Sequence, residues 1–560
     1  MAAAHKLDLV FLWHMHQPDY RDHATGEFRR PWTYLHALKD YTDMAARLEG
    51  HPQVRAVVNL VPVLLDQIED YVRQFDSGEF RDPLLRLLAR ASLDHLEAGE
   101  RELMLSTCFP GNHVRMIAPY PRFERLQKLH RLLDDQGGMA ARYLSGAYFS
   151  DLLVWYHLVW MSETEMRRQP LLAALMAKGE GFTLEEREKL LALMGDILRN
   201  VIPRYRALAA RGQVELSTTP YSHPLSPLLL DLASAREALP GLPLPQAHFY
   251  PGGRSRVEAQ VGTAQSSHAR RFGAPPDGMW PAEGAVSTAF VQQLAASGIR
   301  WAASSQGVLA GSVAPPADHY RAWRLADSPG LTLFFRDEKL SDLIGFEYAK
   351  WHGRDAAQHF VDQLAAIRSA YPAGETPLVS VILDGENAWE HYPYNAHYFF
   401  EDLYGLIAAQ DWIETTTYSA WLARHADRAG TLPRLTAGSW VYGNFSTWIG
   451  APDKNRAWDL LCAAKQAYDF VQEGGRLDEA GRNAAAAQLA VCESSDWFWW
   501  FGDYNPREAV ESFDALYRAN LARLYRLLGL AEPPELSIPI SRGGGQPESG
   551  GTMRRASQAE

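Results

Sequence analysis

Short apolar segments alternate with stretches of helical periodicity over most of the chain, and nearly every apolar segment runs out into polar residues. Residues 7–13 (LDLVFLW), 54–60 (VRAVVNL), 214–218 (VELST), the segment entering Met279, 300–304 (RWAAS), 331–335 (LTLFF) and 378–383 (LVSVIL) read as strands. TAFVQQLAAS and AAQHFVDQLAAIRSAY, which fall between them, read as helices. Strand–helix alternation of this kind specifies an α/β fold built on a parallel sheet or barrel. Polar residues at the strand ends favour a barrel with one functional mouth.

Between about residues 64 and 211 the spacing of apolar residues is helical, so a helical insertion interrupts the first part, residues 1–433. Residues 434–535 read as a helical C-terminal domain that closes over the mouth. Residues 536–560 are poor in apolar anchors and, from Ser541 on, rich in Gly, Ser and Gln; they are expected to be a disordered tail. No internal repeat is present. A net charge of −12 supplies no excess of cations for phosphate and excludes nucleic acid as a partner. No apolar run is long enough to span a membrane, and the N-terminal run is too short for a signal peptide. Cys108, Cys462 and Cys492 are odd in number, far apart and not in a metal-ligand spacing. A cytoplasmic protein is the expectation.

The chemistry concentrates where strands end. LVSVIL runs into Asp384-Gly-Glu386-Asn-Ala-Trp389, two carboxylates with a glycine turn and a flat ring. Acids edged by aromatic rings suit a sugar site, although acidic glycine turns are also ordinary loop chemistry. The first strand ends in His14-Met-His16-Gln-Pro. These histidines are read as facing opposite sides of the strand, which makes a shared metal awkward unless the strand has ended. They are either buried, satisfied histidines or donors to sugar hydroxyls. Glu215 and His223 flank a loop dense in Tyr, His, Pro and hydroxyl residues. Trp280-Pro-Ala-Glu283-Gly places a further carboxylate at a strand end. Arg336 and Asp342 follow the sixth strand, and Asp496-Trp497 opens an aromatic run flanked by acids.

HMHQP, GQVELSTTPYSHP, MWPAEG, LDGENAWEHYP and SSDWFWWFGD, in this order from His14 to Asp503, make the chain resemble glycoside hydrolase family 57, the α-amylase-like group of retaining α-glucan enzymes. The resemblance implies an incomplete (β/α)7 barrel followed by a helical domain. It implies Glu283 as nucleophile and Asp384 as general acid/base, with His16, Glu215, Trp280, Glu386 and Asp496 lining sugar subsites. His14, His223, Arg336, Asp342, Trp389 and Trp497 join the expected substrate-binding set. The DGENAWE form looks like the amylase-type branch rather than the branching-enzyme or transferase branches.

The expectation is therefore a retaining hydrolase of α-1,4-glucosidic bonds in glycogen, starch or maltodextrin, needing no cofactor or metal. Asp384 has to be protonated to act first, and Glu386 and burial are expected to raise its pKa. The rival readings are a 4-α-glucanotransferase or branching-type transglycosylase, a metal-dependent polysaccharide deacetylase or mannosidase with His14, His16 and Asp384 as ligands, and a non-catalytic carbohydrate-binding protein.

Overall fold

The structure is a computed structural model that describes residues 6–109, 111–134 and 142–545. Its strands are β1 (Leu7–Met15), β2 (Ala56–Leu60), β3 (Val214–Ser217), β4 (Gly278–Met279), β5 (Trp301–Ser305), β6 (Trp323–Leu325), β7 (Ser328–Arg336), β8 (Leu378–Asp384), β9 (Ile413–Thr415) and β10 (Gly430–Leu432). The seven segments read as strands from sequence correspond to β1–β5, β7 and β8. The three strands not foreseen, β6, β9 and β10, are three residues each, too short to carry a period of two.

Two five-stranded sheets form, in the orders β3-β2-β1-β8, with β9 also on β1, and β10-β6-β7-β5-β4. All pairings are parallel except β6 with β7. The sheets meet at both ends. Trp280 N–H donates to Thr218 O (3.0 Å) beyond β3 and β4, and Asp337 N–H donates to Ser380 O (2.8 Å) between β7 and β8.

All nine residues of β1 are buried, as in a strand covered on both faces. Its odd-numbered residues Leu9, Phe11 and Trp13 join the large outer core beneath the helices. Its even-numbered Val10 and Leu12 belong to a separate inner cluster with Val57, Trp301, Phe334 and Ile382, enclosed between the sheets. Alternation then decides what stands at the strand ends. One step past the inner apolar residues come His14 on β1, Asn59 on β2, Arg336 on β7 and Asp384 on β8. At the opposite end the helix Tyr418–His425 stops the interior with Tyr418, Trp421 and Leu422, and the Trp421 indole donates to Asp8 Oδ2 (3.1 Å).

Helices from Pro62 to Ala210 fill the interval between β2 and β3, and Pro452–Glu473, Glu479–Cys492, Ser495–Trp500 and Arg507–Leu527 make a helical C-terminal region. The C-terminal helices are tied to the helix Gly253–Phe272 by Glu493, which is fully buried. It accepts from Arg256 Nε (2.6 Å), Gln260 Nε2 (2.6 Å) and the Tyr250 hydroxyl (2.6 Å). A carboxylate with three donors is stable in an apolar setting; stripped of them it would be strongly destabilising. Residues 536–545 depart from the disordered tail that composition suggested. Asp514 accepts from the Ile540 and Ser541 amides, and the Ser541 hydroxyl accepts from Gly502 N–H (2.9 Å). Two apolar side chains, Leu536 and Ile540, are buried there, anchors that the surrounding Gly and Ser obscured. The rest of the expected tail, 546–560, lies outside the described residues.

Candidate active site

A cleft of about 440 Å³ opens at the C-terminal ends of the strands and is bounded on its far side by the C-terminal helices. This size suits a few sugar units. Its floor holds Glu283, Asp384, Glu386, His14, His16 and His223, and Asp496 reaches in from the helix Ser495–Trp500. Trp32, Trp499 and Trp500 line one wall, with Tyr156 and Trp160 also in the lining.

Glu283 is held in an unusual backbone. Its φ is +59°, and His223 has φ +63°. Left-handed geometry is uncommon outside glycine and costs a residue roughly 1–2 kcal/mol. The surroundings over-determine it at Glu283. Its carbonyl accepts from Trp440 N–H (3.0 Å), and the carbonyl of Gly284 accepts from the Ser304 hydroxyl (2.6 Å). Gly284 also has a positive φ, and a Cβ there would stand 2.8 Å from the Trp280 ring, so this turn needs glycine. The strained turn aims the carboxyl of Glu283 into the cleft, where the Trp440 indole N–H donates to Oε2 (3.0 Å) and Ser495 Oγ lies 3.4 Å from Oε1.

Four carboxyls share this space, and three of them, Glu283, Asp384 and Glu386, are raised above the ordinary carboxylate range. Burial, then the charges of Asp496 and Asp384, push Glu283 up to about 8, against the Trp440 and Ser495 hydrogen bonds. Burial also raises Asp384, while Asn387 (Nδ2 donating, 2.9 Å), His16 and Arg336 pull it down. Burial first, then Asp384 and Asp40, drive Glu386 well above the carboxylate range. Glu386 Oε1 faces Gln17 Nε2 (3.3 Å), and its Oε2 has no hydrogen-bond partner among the described residues. Burial is the main cause of the rise at Asp384, as expected, and Asp384 and Glu386 repel each other as anions, which disfavours ionising both. Like charges in a dry site share protons as a group.

The histidines are arranged differently from the sequence reading. Residues two apart on a strand share a face, so His14 and His16 stack at 5.9 Å rather than pointing apart. His16 stacks on His223 at 3.8 Å with 12° between planes, and its Nε2 meets Asp496 Oδ1 (2.9 Å). His16, His223 and Asp496 carry potential ligand atoms within 4.8 Å of one another, a grouping the sequence did not suggest. Imidazole binds a metal along a lone pair in the ring plane, at about 2.0–2.1 Å for zinc. Nearly parallel stacked rings aim those lone pairs side by side, and both nitrogens of His223 are already engaged, by Ser495 Oγ (2.8 Å) and His14 Nε2 (3.2 Å). The arrangement fits a hydrogen-bonded stack better than a coordination sphere. Asp384, His14 and His16 do not form the ligand set of the deacetylase-like rival.

Strained acid, second acid and aromatic walls at the C-terminal end of parallel strands describe a glycosidase cleft, and comparison with known proteins agrees. Residues 10–432 match glycosyl hydrolase family 57. The chain belongs to glycosyl hydrolase family 57. No protein among those of curated function matches this family 57 enzyme in sequence. Among solved structures it resembles a family 57 branching enzyme from Thermococcus kodakaraensis (15% identity over 93% of this chain and 90% of that one, TM-score 0.57). It also resembles the α-amylase AmyC from Thermotoga maritima (12% identity, 94% and 93% covered, TM-score 0.55). A third is the 4-α-glucanotransferase from Thermococcus litoralis (14% identity, 93% and 60% covered, TM-score 0.52). At these identities the likeness is one of fold.

In this family 57 enzyme the fold brings Glu283, Asp384, Glu386, His14, His16, His223, Arg336 and Asp496 to the cleft. Asp342 stands behind it, accepting from Arg336 (2.9 Å), whose guanidinium lies over the Trp440 ring. Besides Asp342, four expected residues do not line the cleft. Glu215 is on the inner face of β3 near the closed end, where it accepts from the Trp301 indole (2.6 Å) and from Ser419 N–H and Oγ. Its counterpart in parity at the open end is Ser217, so strand phase separates Glu215 from the mouth. Trp280 is fully buried, edge-on to Trp440 at 5.3 Å. Trp389 is buried between Trp13 and Phe400, and its indole donates to Gly385 O (2.7 Å). Trp497 is buried beside Tyr517 and donates to Val491 O (2.9 Å). These rings pack the turns that carry the acids.

Three residues were missed. Trp440 lies in a loop with no periodicity, and its signal is a bulky ring between Gly438 and Gly443. Ser495 was hidden by the louder Asp496-Trp497. Asn59 was legible, as an amide inside the apolar run VVNL, where a polar side chain needs a partner.

Proposed function

We propose that this family 57 enzyme is a retaining α-glucan hydrolase of the α-amylase type, cleaving α-1,4-glucosidic bonds through a glycosyl-enzyme on Glu283. The observation that carries the reading is the strained carboxyl of Glu283 sharing one cleft with Asp384, which ends a different strand. Retaining chemistry needs two carboxyls, one to attack the anomeric carbon and one to protonate the departing oxygen. In the first step Glu283 bonds to the anomeric carbon as the glycosidic C–O bond breaks, and the proton of Asp384 passes to the leaving oxygen. In the second, Asp384 takes a proton from water, whose oxygen displaces Glu283.

Other features support the reading. The Trp32 and Trp500 rings offer faces for stacking sugars, and both parts of a chain could lie between the cleft walls. The inter-sheet contacts beyond β3/β4 and β7/β8 support describing β1–β5, β7 and β8 as an incomplete (β/α)7 barrel. His16, Glu386 and Asp496 are assigned to sugar binding. No helix is long and apolar enough to cross a membrane among the described residues, and the three cysteines are buried and unpaired, which supports a reducing, cytoplasmic setting. Walls on two sides of the acids also favour, as a second reading, a 4-α-glucanotransferase, in which a sugar hydroxyl replaces water in the second step. Disproportionated longer products from maltoheptaose would select transfer; short products alone would select hydrolysis.

The division of labour is tested with two substrates. Glu283→Gln should abolish turnover of both a maltooligosaccharide and an activated aryl glycoside, because no ester forms without the nucleophile. Asp384→Ala should lose the first and retain glycosylation by the second, since a good leaving group needs no proton. Azide should then speed its turnover and give a glycosyl azide of retained configuration. Rescue of Glu283→Ala alone, with inverted product, would exchange the two roles.

A further inference from the structure

Behind Glu283 runs a line of polar contacts, from 2.7 to 3.4 Å, that leads away from the cleft into the inner core. Ser495 Oγ stands 3.4 Å from Glu283 Oε1 and 2.8 Å from His223 Nδ1. His223 Nε2 stands 3.2 Å from His14 Nε2, and His14 Nδ1 stands 2.7 Å from the Asn59 amide. Asn59 is fully buried and continues to Ser217 Oγ (3.0 Å) and Thr219 Oγ1 (3.0 Å). Every member is buried.

The protons in this line are constrained by counting. Burial and the neighbouring histidines hold His14 down to about 3 and His223 well below the usual imidazole range, so each ring is neutral and carries one proton. Adjacent rings joined nitrogen to nitrogen must then point their N–H bonds the same way along the line. Two arrangements satisfy every contact between Asn59 and Glu283. In one, His14 Nδ1–H donates to Asn59 Oδ1, His223 Nε2–H donates to His14, Ser495 O–H donates to His223, and a protonated Glu283 donates to Ser495. In the other, Asn59 Nδ2 donates to His14 Nδ1, His14 Nε2–H donates to His223, His223 Nδ1–H donates to Ser495, and Ser495 O–H donates to a Glu283 carboxylate. Turning the Asn59 amide over exchanges its oxygen and nitrogen and converts one end of the line into the other. Thr219 shows why both ends are tolerable. Its single hydroxyl proton faces two acceptors, Asn59 Oδ1 and Trp280 O (2.8 Å). With the amide turned, Asn59 donates to Thr219, Thr219 donates to Trp280 O, and Ser217 donates to Asn59.

We propose that Asn59, His14, His223 and Ser495 form a reversible hydrogen-bond wire ending on Glu283, donating to it as a carboxylate and accepting from it as an acid. Asn59 is the positioning residue that makes reversal possible, because an amide offers a donor and an acceptor at one place where a carboxylate or an amine offers one kind only. Each imidazole keeps one proton in both arrangements; the single proton lost overall is the one Glu283 releases to water. The wire rests on the reading of Glu283 as nucleophile, a group that must alternate between anion and ester in each turnover. The other groups facing Glu283 are fixed in kind: Asp384 and Asp496 oppose its ionisation, the Trp440 indole favours it, and Arg336 stands beyond the Trp440 ring. His16, stacked on His223 and bonded to Asp496, flanks the wire without joining it.

The wire is tested by ¹⁵N NMR of histidine-labelled full-length protein between pH 6 and 10. The two rings are assigned among the 19 histidines by loss of their signals in His14→Gln and His223→Gln. Both rings should stay neutral and exchange tautomers in opposite senses, with one shared midpoint, and Glu283→Gln should abolish the exchange. Fixed tautomers, an imidazolium in the resting state or separate midpoints would overturn the proposal. As a second measurement, Ser495→Ala should raise the pH midpoint of kcat/KM for an activated aryl glycoside by about one unit, a tenfold loss on the acid side, and Ser495→Thr should restore it. An unmoved midpoint in Ser495→Ala would also overturn it. Switching tautomers in an enzyme that forms no ester on Glu283 would keep the wire and remove the nucleophile reading; an ester with frozen tautomers would do the reverse.

Discussion

Trp440 is the residue whose replacement reads the chemistry of Glu283 most directly. Its indole N–H is the nearest donor to the Glu283 carboxyl, at 3.0 Å, and Glu283 itself is buried. Trp440→Phe keeps an aromatic ring and the backbone bond to Glu283 O while deleting that donor. A hydrogen bond to a charged group is worth roughly 1.5–3 kcal/mol, and one pKa unit corresponds to about 1.4 kcal/mol. The pKa of Glu283, about 8 in the native site, should therefore rise by about one to two units on this reckoning. At pH 7 the ionised fraction falls from roughly one in ten to roughly one in a hundred or fewer. The assay is kcat/KM for an activated aryl α-glycoside across pH 6–10, a substrate that needs no proton from Asp384. The native profile should climb with a midpoint near 8, and the variant should lose about 10- to 100-fold at pH 7 while approaching the same plateau at high pH. A lowered plateau with an unmoved midpoint would place Trp440 on the substrate instead and refute the electrostatic argument.

Three further outcomes follow from the same site. Asp496→Asn removes an anion that raises Glu283, so the midpoint should move to lower pH; an upward shift would contradict the charge ordering. The folded-state pKa of Glu283 lies above its ordinary value of 4.5, so its burial is harmless in acid and destabilises the fold as pH rises towards about 8. Glu283→Gln should accordingly gain roughly 1–3 kcal/mol at pH 9 and nothing near pH 4, measured by urea unfolding. Chelators should leave activity intact, since the stacked His16 and His223 do not converge on a metal; loss restored by zinc would reverse that conclusion.

Much of this arrangement was written in the sequence, and strand phase explains both what was legible and what was not. The apolar runs located seven strands, and the polar residues that ended them, His14, Arg336 and Asp384, did reach one cleft. The same rule, followed residue by residue, places His14 and His16 on one side and leaves Glu215 at the closed end. Periodicity could not foresee β6, β9 and β10, which exist because neighbouring strands had unpaired edges to offer. Nor could composition tell a wall tryptophan from a packing one. Trp500 and Trp497 sit in one short helix, yet the first faces the cleft and the second the core. That outcome was decided by how the helix docks, a long-range event outside any window of sequence.

The docking also sets a timetable. His16 and Asp496 meet across 480 positions of chain, and Ser495 reaches the Glu283 carboxyl across 212. A growing polypeptide that has just passed Arg434 already holds both strand-end acids but neither Asp496 nor Ser495. At about 5–20 residues per second, roughly 3–12 seconds separate that point from Asp496. Through that interval the nascent chain carries the strand-end acids and histidines without the helix Ser495–Trp500 that borders them in the finished fold. The last wall of the cleft is thus supplied late in synthesis, after the strands that carry its acids.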